Sequence, residues 1–184
     1  DKYYGYVKNN KRNGFGILIC TNGCFYEGYW LDDQFSGEGF YIDEQGNFIK
    51  GSFKNNKPNG QCLLVKIDGC KYEGEMKNGQ KDGQGEEITN KGMYYKGQYK
   101  NGLMNGHGKY IIDNIFEYEG NFENDQIKGY GTCKWNTGKQ YKGYWLNNKM
   151  HGKGLYVWAD GKKYEGIYYL NYFIIYLYLR QFLQ

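Results

Sequence analysis

The sequence predicts an all-β fold: an elongated, single-layer antiparallel sheet of β-hairpins stacked as a solenoid. Three observations carry this. Glycine recurs at a fixed 23-residue interval through Gly5, Gly28, Gly51, Gly74, Gly97, Gly120, Gly143 and Gly166, without insertion. Aromatic residues flank most of these glycines at alternate positions, the period of a strand. The chain holds 29 glycines, 22 tyrosines and 10 phenylalanines but a single alanine, Ala159, and a single proline, Pro58. That is poor material for helices and good material for pleated sheet.

The first strand of each unit is read from the positions around the anchor glycine. Two residues before it stand Tyr3, Tyr26, Ile49, Tyr72, Tyr95, Tyr118, Tyr141 and Tyr164, and two after it Val7, Trp30, Phe53, Met76, Tyr99, Phe122, Trp145 and Tyr168. Tyr26, Gly28 and Trp30 therefore share one face. Asn- and Asp-rich dipeptides follow, such as Asp32-Asp33, Asn55-Asn56 and Asn147-Asn148. They tolerate the positive φ angles of a two-residue type I′ turn.

The second strand carries two more glycines. Gly14, Gly37, Gly60, Gly83, Gly106, Gly129 and Gly152 stand nine residues after the anchor. Gly16, Gly39, Gly85, Gly108, Gly131 and Gly154 stand eleven after it, with Cys62 the exception. A regular ladder from the two-residue turn places Gly28 opposite Gly37 and Tyr26 opposite Gly39. The glycines then form a floor for the rings, and a branched side chain at Gly106 intrudes on Tyr95 and Tyr118. An odd repeat length requires either a three-residue turn at the second junction or a bulge. Thr21-Asn22-Gly23, Ile67-Asp68-Gly69 and Ala159-Asp160-Gly161 have the glycine that a three-residue turn wants in third place. Ile115 fills that slot in one repeat, so its turn is strained or differs locally.

Units such as Tyr26-Glu27-Gly28-Tyr29-Trp30 with Gly37-Glu38-Gly39, and Tyr141-Lys142-Gly143-Tyr144-Trp145 with Gly152-Lys153-Gly154, resemble the MORN (membrane occupation and recognition nexus) repeat. The resemblance covers residues 3 to about 169: seven complete repeats and a partial eighth, with the array itself placed at 3–168. Ile49, Cys62 and Ile115 depart from it. It implies a twisted single-layer meander whose repeated positions include Tyr72, Gly74, Tyr95, Gly97, Tyr118, Gly120 and Gly143 as the aromatic groove. At two strand spacings per hairpin, seven repeats span roughly 65–70 Å, and stability comes from stacking of neighbours.

The ends are less regular. Asp1-Lys2 matches the last residues of a turn, so the chain reads as a piece of a longer array. Residues 169–184 read as an irregular apolar tail, with Ile175 where the next glycine is due. Three readings of it stay open: a cap on the edge strand, translated non-coding or frame-shifted sequence, or a membrane-associating anchor too short to span a bilayer.

The chemistry expected is sparse. His107 and His151 lie roughly 20 Å apart on strand spacing and share no cysteine pair at ligand spacing; both read as solvent-facing. The GxG motifs lack the third glycine of a dinucleotide loop. Glu86 and Glu87 point to opposite faces and make no acid–base pair. No cofactor, metal or catalytic residue is expected. Five cysteines without CxxC spacing, and no leader pattern, point to a reduced, cytoplasmic setting. Cys20 and Cys24 face each other across a turn, where a disulfide is geometrically possible but two small residues suffice.

The net charge is +4, from 24 Lys and Arg against 20 Asp and Glu. It rests on lysine, which argues against base-specific nucleic-acid contacts. The residue before each anchor glycine alternates in sign through Glu27, Lys50, Glu73, Lys96, Glu119, Lys142 and Glu165, either as a ladder of opposite charges or as a solvated face.

The leading functional expectation is a non-catalytic scaffold that contacts protein partners or itself. The resemblance implies cytoskeletal, ciliary or membrane-junction assemblies, and the Asn- and Lys-rich, Ala-poor composition suits an AT-rich protist genome. The alternative is docking to anionic phospholipids or phosphoinositides, with Lys54, Lys57, Lys77, Lys81 and Lys100 as the lipid-facing set. A further alternative, also implied by the resemblance, is a regulatory segment of an enzyme such as a phosphatidylinositol-phosphate kinase.

Overall fold

The computed structural model describes residues 1–174. They form one antiparallel sheet of sixteen strands in which every strand pairs with its sequence neighbours. The strands are β1 (Lys2–Lys8), β2 (Lys11–Ile19), β3 (Phe25–Leu31), β4 (Gln34–Ile42), β5 (Phe48–Lys54), β6 (Lys57–Val65), β7 (Lys71–Lys77) and β8 (Gln80–Ile88). They continue as β9 (Met93–Lys100), β10 (Leu103–Ile112), β11 (Phe116–Glu123), β12 (Gln126–Trp135), β13 (Gln140–Leu146), β14 (Lys149–Val157), β15 (Lys163–Tyr169) and β16 (Tyr172–Ile174).

Both turn types form as the residues dictate. Asp32 and Asp33 take φ of 48° and 69°, Asn147 and Asn148 take 49° and 65°, the type I′ pattern. At the other edge the Asp43 N–H donates to the Asn47 carbonyl at 2.9 Å, enclosing three residues, and Gly46 supplies the positive φ of 89°. Ile115 avoids strain because its neighbour Asn114 takes the left-handed conformation instead, at φ 56°. Asparagine tolerates that region far better than a β-branched residue.

The register within each hairpin differs from a regular ladder. Leu31 pairs with Gln34 and Trp30 with Phe35, as the two-residue turn requires, but Gly28 then pairs with Gly39 and Tyr26 with Tyr41. Tyr29 alone stands opposite Ser36, Gly37 and Glu38. Gly37 is therefore a bulge glycine at φ 72° and not a partner of Gly28. The seven-residue strand is matched to a nine-residue one by placing two extra residues in this bulge. Parity is preserved, so every side chain keeps its expected face.

The corrected register aligns the remaining glycines into one line across the sheet. Gly16 pairs with Gly28, Gly28 with Gly39, Gly39 with Gly51, and so on to Gly154 and Gly166, interrupted only by Cys62. The core lies on one side of this line. Tyr26, Tyr95, Tyr118 and Tyr141 are 0% exposed there, with Tyr72 and Tyr168 at 1%.

The eighth hairpin also forms. Leu170 and Asn171 make the turn at φ 50° and 77°, and Tyr169 pairs with Tyr172. The regular lattice thus runs past residue 168, because strand pairing needs only main-chain groups. Ile175 and the rest of the tail lie outside the described residues.

Candidate interaction surfaces

The unit from which the surfaces are built is a tyrosine lying along the glycine line. The Tyr26 hydroxyl donates to the Tyr29 carbonyl three residues on, at 2.9 Å. Tyr72, Tyr95, Tyr118 and Tyr141 repeat the bond at 2.7, 2.9, 3.2 and 3.0 Å. To reach that carbonyl the ring crosses its own anchor glycine and the paired glycine of the next strand. A Cβ at Gly39 would stand 2.5 Å from the Tyr26 hydroxyl, and one at Gly108 the same distance from that of Tyr95. The same closeness holds at Gly85, Gly131 and Gly154 against Tyr72, Tyr118 and Tyr141. Burial pushes the Tyr26, Tyr95 and Tyr141 hydroxyls up to about 12.

Gly106 and Gly152 have a different role from the glycine line. They are bulge glycines at φ 67° and 69°. A Cβ at Gly106 would meet the Gln98 side chain, not Tyr95 or Tyr118, so the expected intrusion belongs to Gly108.

Rings of successive repeats lock edge to face. Tyr95 and Phe122 lie 5.3 Å apart, Tyr118 and Trp145 5.6 Å, Tyr141 and Tyr168 5.0 Å, all near perpendicular. The Trp30 and Trp145 indoles donate to the Gly16 and Gly131 carbonyls at 3.2 and 3.4 Å. These positions, with Gly74, Gly97, Gly120 and Gly143 beneath them, make a sealed floor and do not line an open groove. Above the floor sits a further residue from the start of each even strand. Phe35 stacks flat on Tyr26 at 3.6 Å, and Met104 and Met150 pack on the cluster that holds Tyr95, Tyr118 and Tyr141. A hollow of about 400 Å³ opens there between Met104, Tyr110, Phe116, Ile127 and Trp135.

A second set of inter-repeat bonds was not foreseen from the sequence. The second residue of each type I′ turn bonds backward to the preceding hairpin. The Asn56 N–H donates to the Phe35 carbonyl at 3.2 Å, while its Oδ1 accepts from the Phe35 N–H at 2.7 Å. Asp33, Asp125, Asn148 and Asn171 hold Arg12, Met104, Ile127 and Met150 in the same way. The signal was present in the Asx at that position, which serves the turn and the clamp together. Where Pro58 has no N–H to offer, its partner is Gly79, which has no acceptor side chain.

The lysines divide. Lys54, Lys57, Lys77 and Lys100 are exposed at the type I′ edge. Lys81 is not part of that rim. It lies on the tyrosine face, paired with Glu87 and 5.0 and 5.2 Å from the Tyr72 and Tyr99 ring centres. It pairs with Met76, one position past the closing pair of the turn, so the register itself sets it above the rings as a packing residue. Tyr99 donates to the same Glu87 carboxylate at 3.0 Å.

On the opposite face, no two members of the alternating charge row pair directly among the described residues; Lys96 pairs with Glu86 at 3.3 Å instead. An intervening strand separates successive members, and its own side chains take the contacts. His107 is exposed, whereas His151 is half-buried with its ring 5.6 Å from that of Tyr169. Cys20 and Cys24 are joined in a disulfide across their turn, with Cα atoms 5.0 Å apart.

Three solved structures show a distant likeness to the chain. The TCP domain of SAS-4 (dCPAP) from Drosophila melanogaster, in complex with a proline-rich motif of Ana2, has a TM-score of 0.49 at 8% identity over 84% of each chain. Virginiamycin B lyase from Staphylococcus aureus has a TM-score of 0.17 at 13% identity, over 91% of this chain and 60% of the enzyme. A streptogramin B lyase has 0.22 at 14%, over 92% and 74%. None of these carries a functional argument. No curated protein matches the sequence. The MORN repeat profile matches seven segments: 3–25, 26–48, 50–71, 72–94, 95–114, 118–140 and 141–163. The glycine line, the tyrosines upon it and these seven matches agree: the chain belongs to the MORN repeat family.

Proposed function

We propose that the chain is a non-catalytic scaffold that works by contact between protein surfaces, with itself or with partner proteins, in an assembly of the cytoskeletal, ciliary or membrane-junction kind. One observation carries this reading. The sheet is a single layer whose tyrosines are sealed from within, and the apolar residues above and behind them are left uncovered. Met104, Tyr110, Phe116 and Trp135 border a hollow on one face, and Tyr29, Tyr130 and Tyr144 stand 53, 46 and 51% exposed on the other. Apolar patches of this kind mark association sites.

The lipid reading rests on one feature, the exposed Lys54, Lys57, Lys77 and Lys100 on three consecutive turns of one edge. Both readings are tested together. Lys54, Lys57, Lys77 and Lys100 are changed to glutamine, and particle mass and co-sedimentation with phosphoinositide-containing vesicles are measured. The scaffold reading expects an unchanged mass, association that survives moderate salt and no lipid binding to lose. Vesicle binding that needs phosphoinositide, disappears with the four changes and falls as the Debye length shrinks from ~10 Å at 0.1 M to ~3 Å at 1 M salt would replace it with membrane docking.

A further inference from the structure

The hollow between Met104, Tyr110, Phe116, Ile127 and Trp135 opens where one side chain of the repeat is short. Cys133 borders it and is buried. The counterparts of Cys133 in the other repeats are Leu18, Tyr41, Leu64, Glu87, Tyr110 and Tyr156, all longer. The Tyr110 ring stands 5.7 Å from that of Phe116, and the Tyr156 ring 6.0 Å from that of Trp135. Between them the space above Cys133 lacks the side chain that its neighbours carry. The other end of the hollow is acidic: among the described residues that line it, Asp125 alone is charged. Its Oδ1 accepts the Met104 N–H at 2.7 Å, as Asp33 accepts that of Arg12 at 2.9 Å. Asp33 also holds the Arg12 guanidinium, which lies 4.2 Å over the Trp30 ring. Met104 brings no cation to Asp125, and Lys128, three residues on, pairs with Glu123 instead.

We infer that this hollow receives an extended segment of a partner protein bearing an aromatic side chain and, four residues away, an arginine. The ring fills the space above Cys133, and the guanidinium pairs with Asp125. The inference rests on the scaffold reading proposed above and names the chemistry of the partner. The spacing comes from the sheet. Cys133 pairs with Tyr118 and Ile127 with Phe122, four residues of β11 apart, roughly 13 Å. Side chains four apart in an extended segment share one face and stand the same distance apart. The walls at the Cys133 end are Tyr110, Phe116 and Trp135. They meet an incoming ring in the edge-to-face manner that Tyr95 with Phe122 and Tyr118 with Trp145 already use. At the acidic end the planar fork of arginine suits a carboxylate better than the compact ammonium of lysine, and Arg12 on Asp33 is the same contact made within the chain.

The test uses two short peptides blocked at both ends, Tyr-Ser-Ala-Ser-Arg and its reverse, titrated to millimolar concentration into the isotope-labelled chain. Amide shifts are expected in β10 to β12 with at least one of them. Cys133→Tyr closes the hollow with the residue that Tyr110 and Tyr156 supply in the flanking repeats, and it should abolish those shifts. Cys133→Leu, after Leu18 and Leu64, is the second variant should the phenol impair folding, which melting curves report. Asp125→Asn removes the charge but keeps the acceptor for the Met104 N–H, as Asn148 does for Ile127. It should weaken binding about two- to fivefold. Glutamine in place of the peptide's arginine should cost the same, with no further loss when both are changed. Absence of shifts in the parent, shifts unaltered by both changes at position 133, or fully additive losses overturn the inference. A particle mass that falls with Cys133→Tyr also overturns it, in favour of a second copy as the occupant. Each of these leaves the scaffold reading standing, which only vesicle binding in the lysine experiment removes.

Discussion

The Cys62 thiol donates to the Ser52 carbonyl oxygen at 3.5 Å, the bond that a tyrosine hydroxyl makes in the other repeats. Ser52 is the counterpart of Tyr29, whose carbonyl accepts from Tyr26 at 2.9 Å. Ile49 stands where that tyrosine would be, and Cys62 where the glycine under it would be. The two departures from the repeat are one compensated exchange: a shorter side chain on one strand, a longer one on the next, and the same carbonyl satisfied. The ring chain breaks here, and the core separates into two clusters that both include Ile49 at their margin.

The exchange predicts strong coupling between the two positions. Ile49→Tyr alone places a phenol against the Cys62 side chain, an overpacking that costs about 1–3 kcal/mol. Cys62→Gly alone leaves a cavity and a free carbonyl. The double variant restores the pattern of the other repeats and should be more stable than either single one, with a coupling energy of roughly 0.5–3 kcal/mol in a denaturant double-mutant cycle. Additive effects would show that Ile49 and Cys62 are unrelated.

The backward clamp predicts a second pattern. Asn148→Ala removes the acceptor of the Ile127 N–H, which it holds at 2.8 Å, and forces alanine to φ 65°. A loss of about 1–3 kcal/mol follows from the stranded donor and the left-handed backbone. Gly79→Asn should gain nothing comparable, since Pro58 has no N–H to clamp. Melting temperatures of the two variants decide it, and a clear gain at Gly79 would mean that the turn residue matters without its partner.

Alkaline titration tests the sealing of the tyrosines. Burial raises the hydroxyls of Tyr26, Tyr95 and Tyr141 from the usual 10.0 to about 12. A group raised in the folded state contributes stability below its unfolded value and loses it as pH climbs through the folded one. Stability supplied by these three should therefore hold up to pH 10 and fall between 10 and about 12. Late phenolate absorbance should rise together with loss of the sheet signal in circular dichroism. Complete phenolate absorbance near pH 10 with the sheet intact would show that these rings are open to solvent.

The fold was legible because its determinants are local and repeated. Asp32-Asp33 fixes a turn, Gly23 and Gly46 fix the other, and alternation assigns Tyr26 and Trp30 to one face. The bulge at Ser36-Gly37-Glu38 was hidden because two extra residues preserve parity: every side chain stays on its face, and only the cross-strand partners change. A glycine required for φ 72° and one required for ring clearance look alike in sequence, so Gly37 and Gly39 were given one role. Lys81 pairs with Met76, so alternation alone sets it on the face of Tyr72 and Tyr99, whereas Lys54, Lys57, Lys77 and Lys100 stand in the closing pairs of their turns and remain outside.

That one layer of sheet is sealed by tyrosines lying on a line of glycines is tested most directly by native-state hydrogen exchange on Gly108→Ala beside Gly106→Ala. The Cβ at position 108 meets the Tyr95 hydroxyl at 2.5 Å, whereas that at 106, in a bulge, meets first the flexible Gln98 side chain. Gly108→Ala should lose protection through β9 to β12, in the repeats that share Tyr95 and Tyr118, and adding Tyr95→Leu should return part of it by removing the hydroxyl. Gly106→Ala should show a smaller loss, set by its φ of 67°. Protection in Gly108→Ala equal to that of the parent, or a larger loss in Gly106→Ala with no effect of Tyr95→Leu, would contradict the tyrosine-on-glycine arrangement.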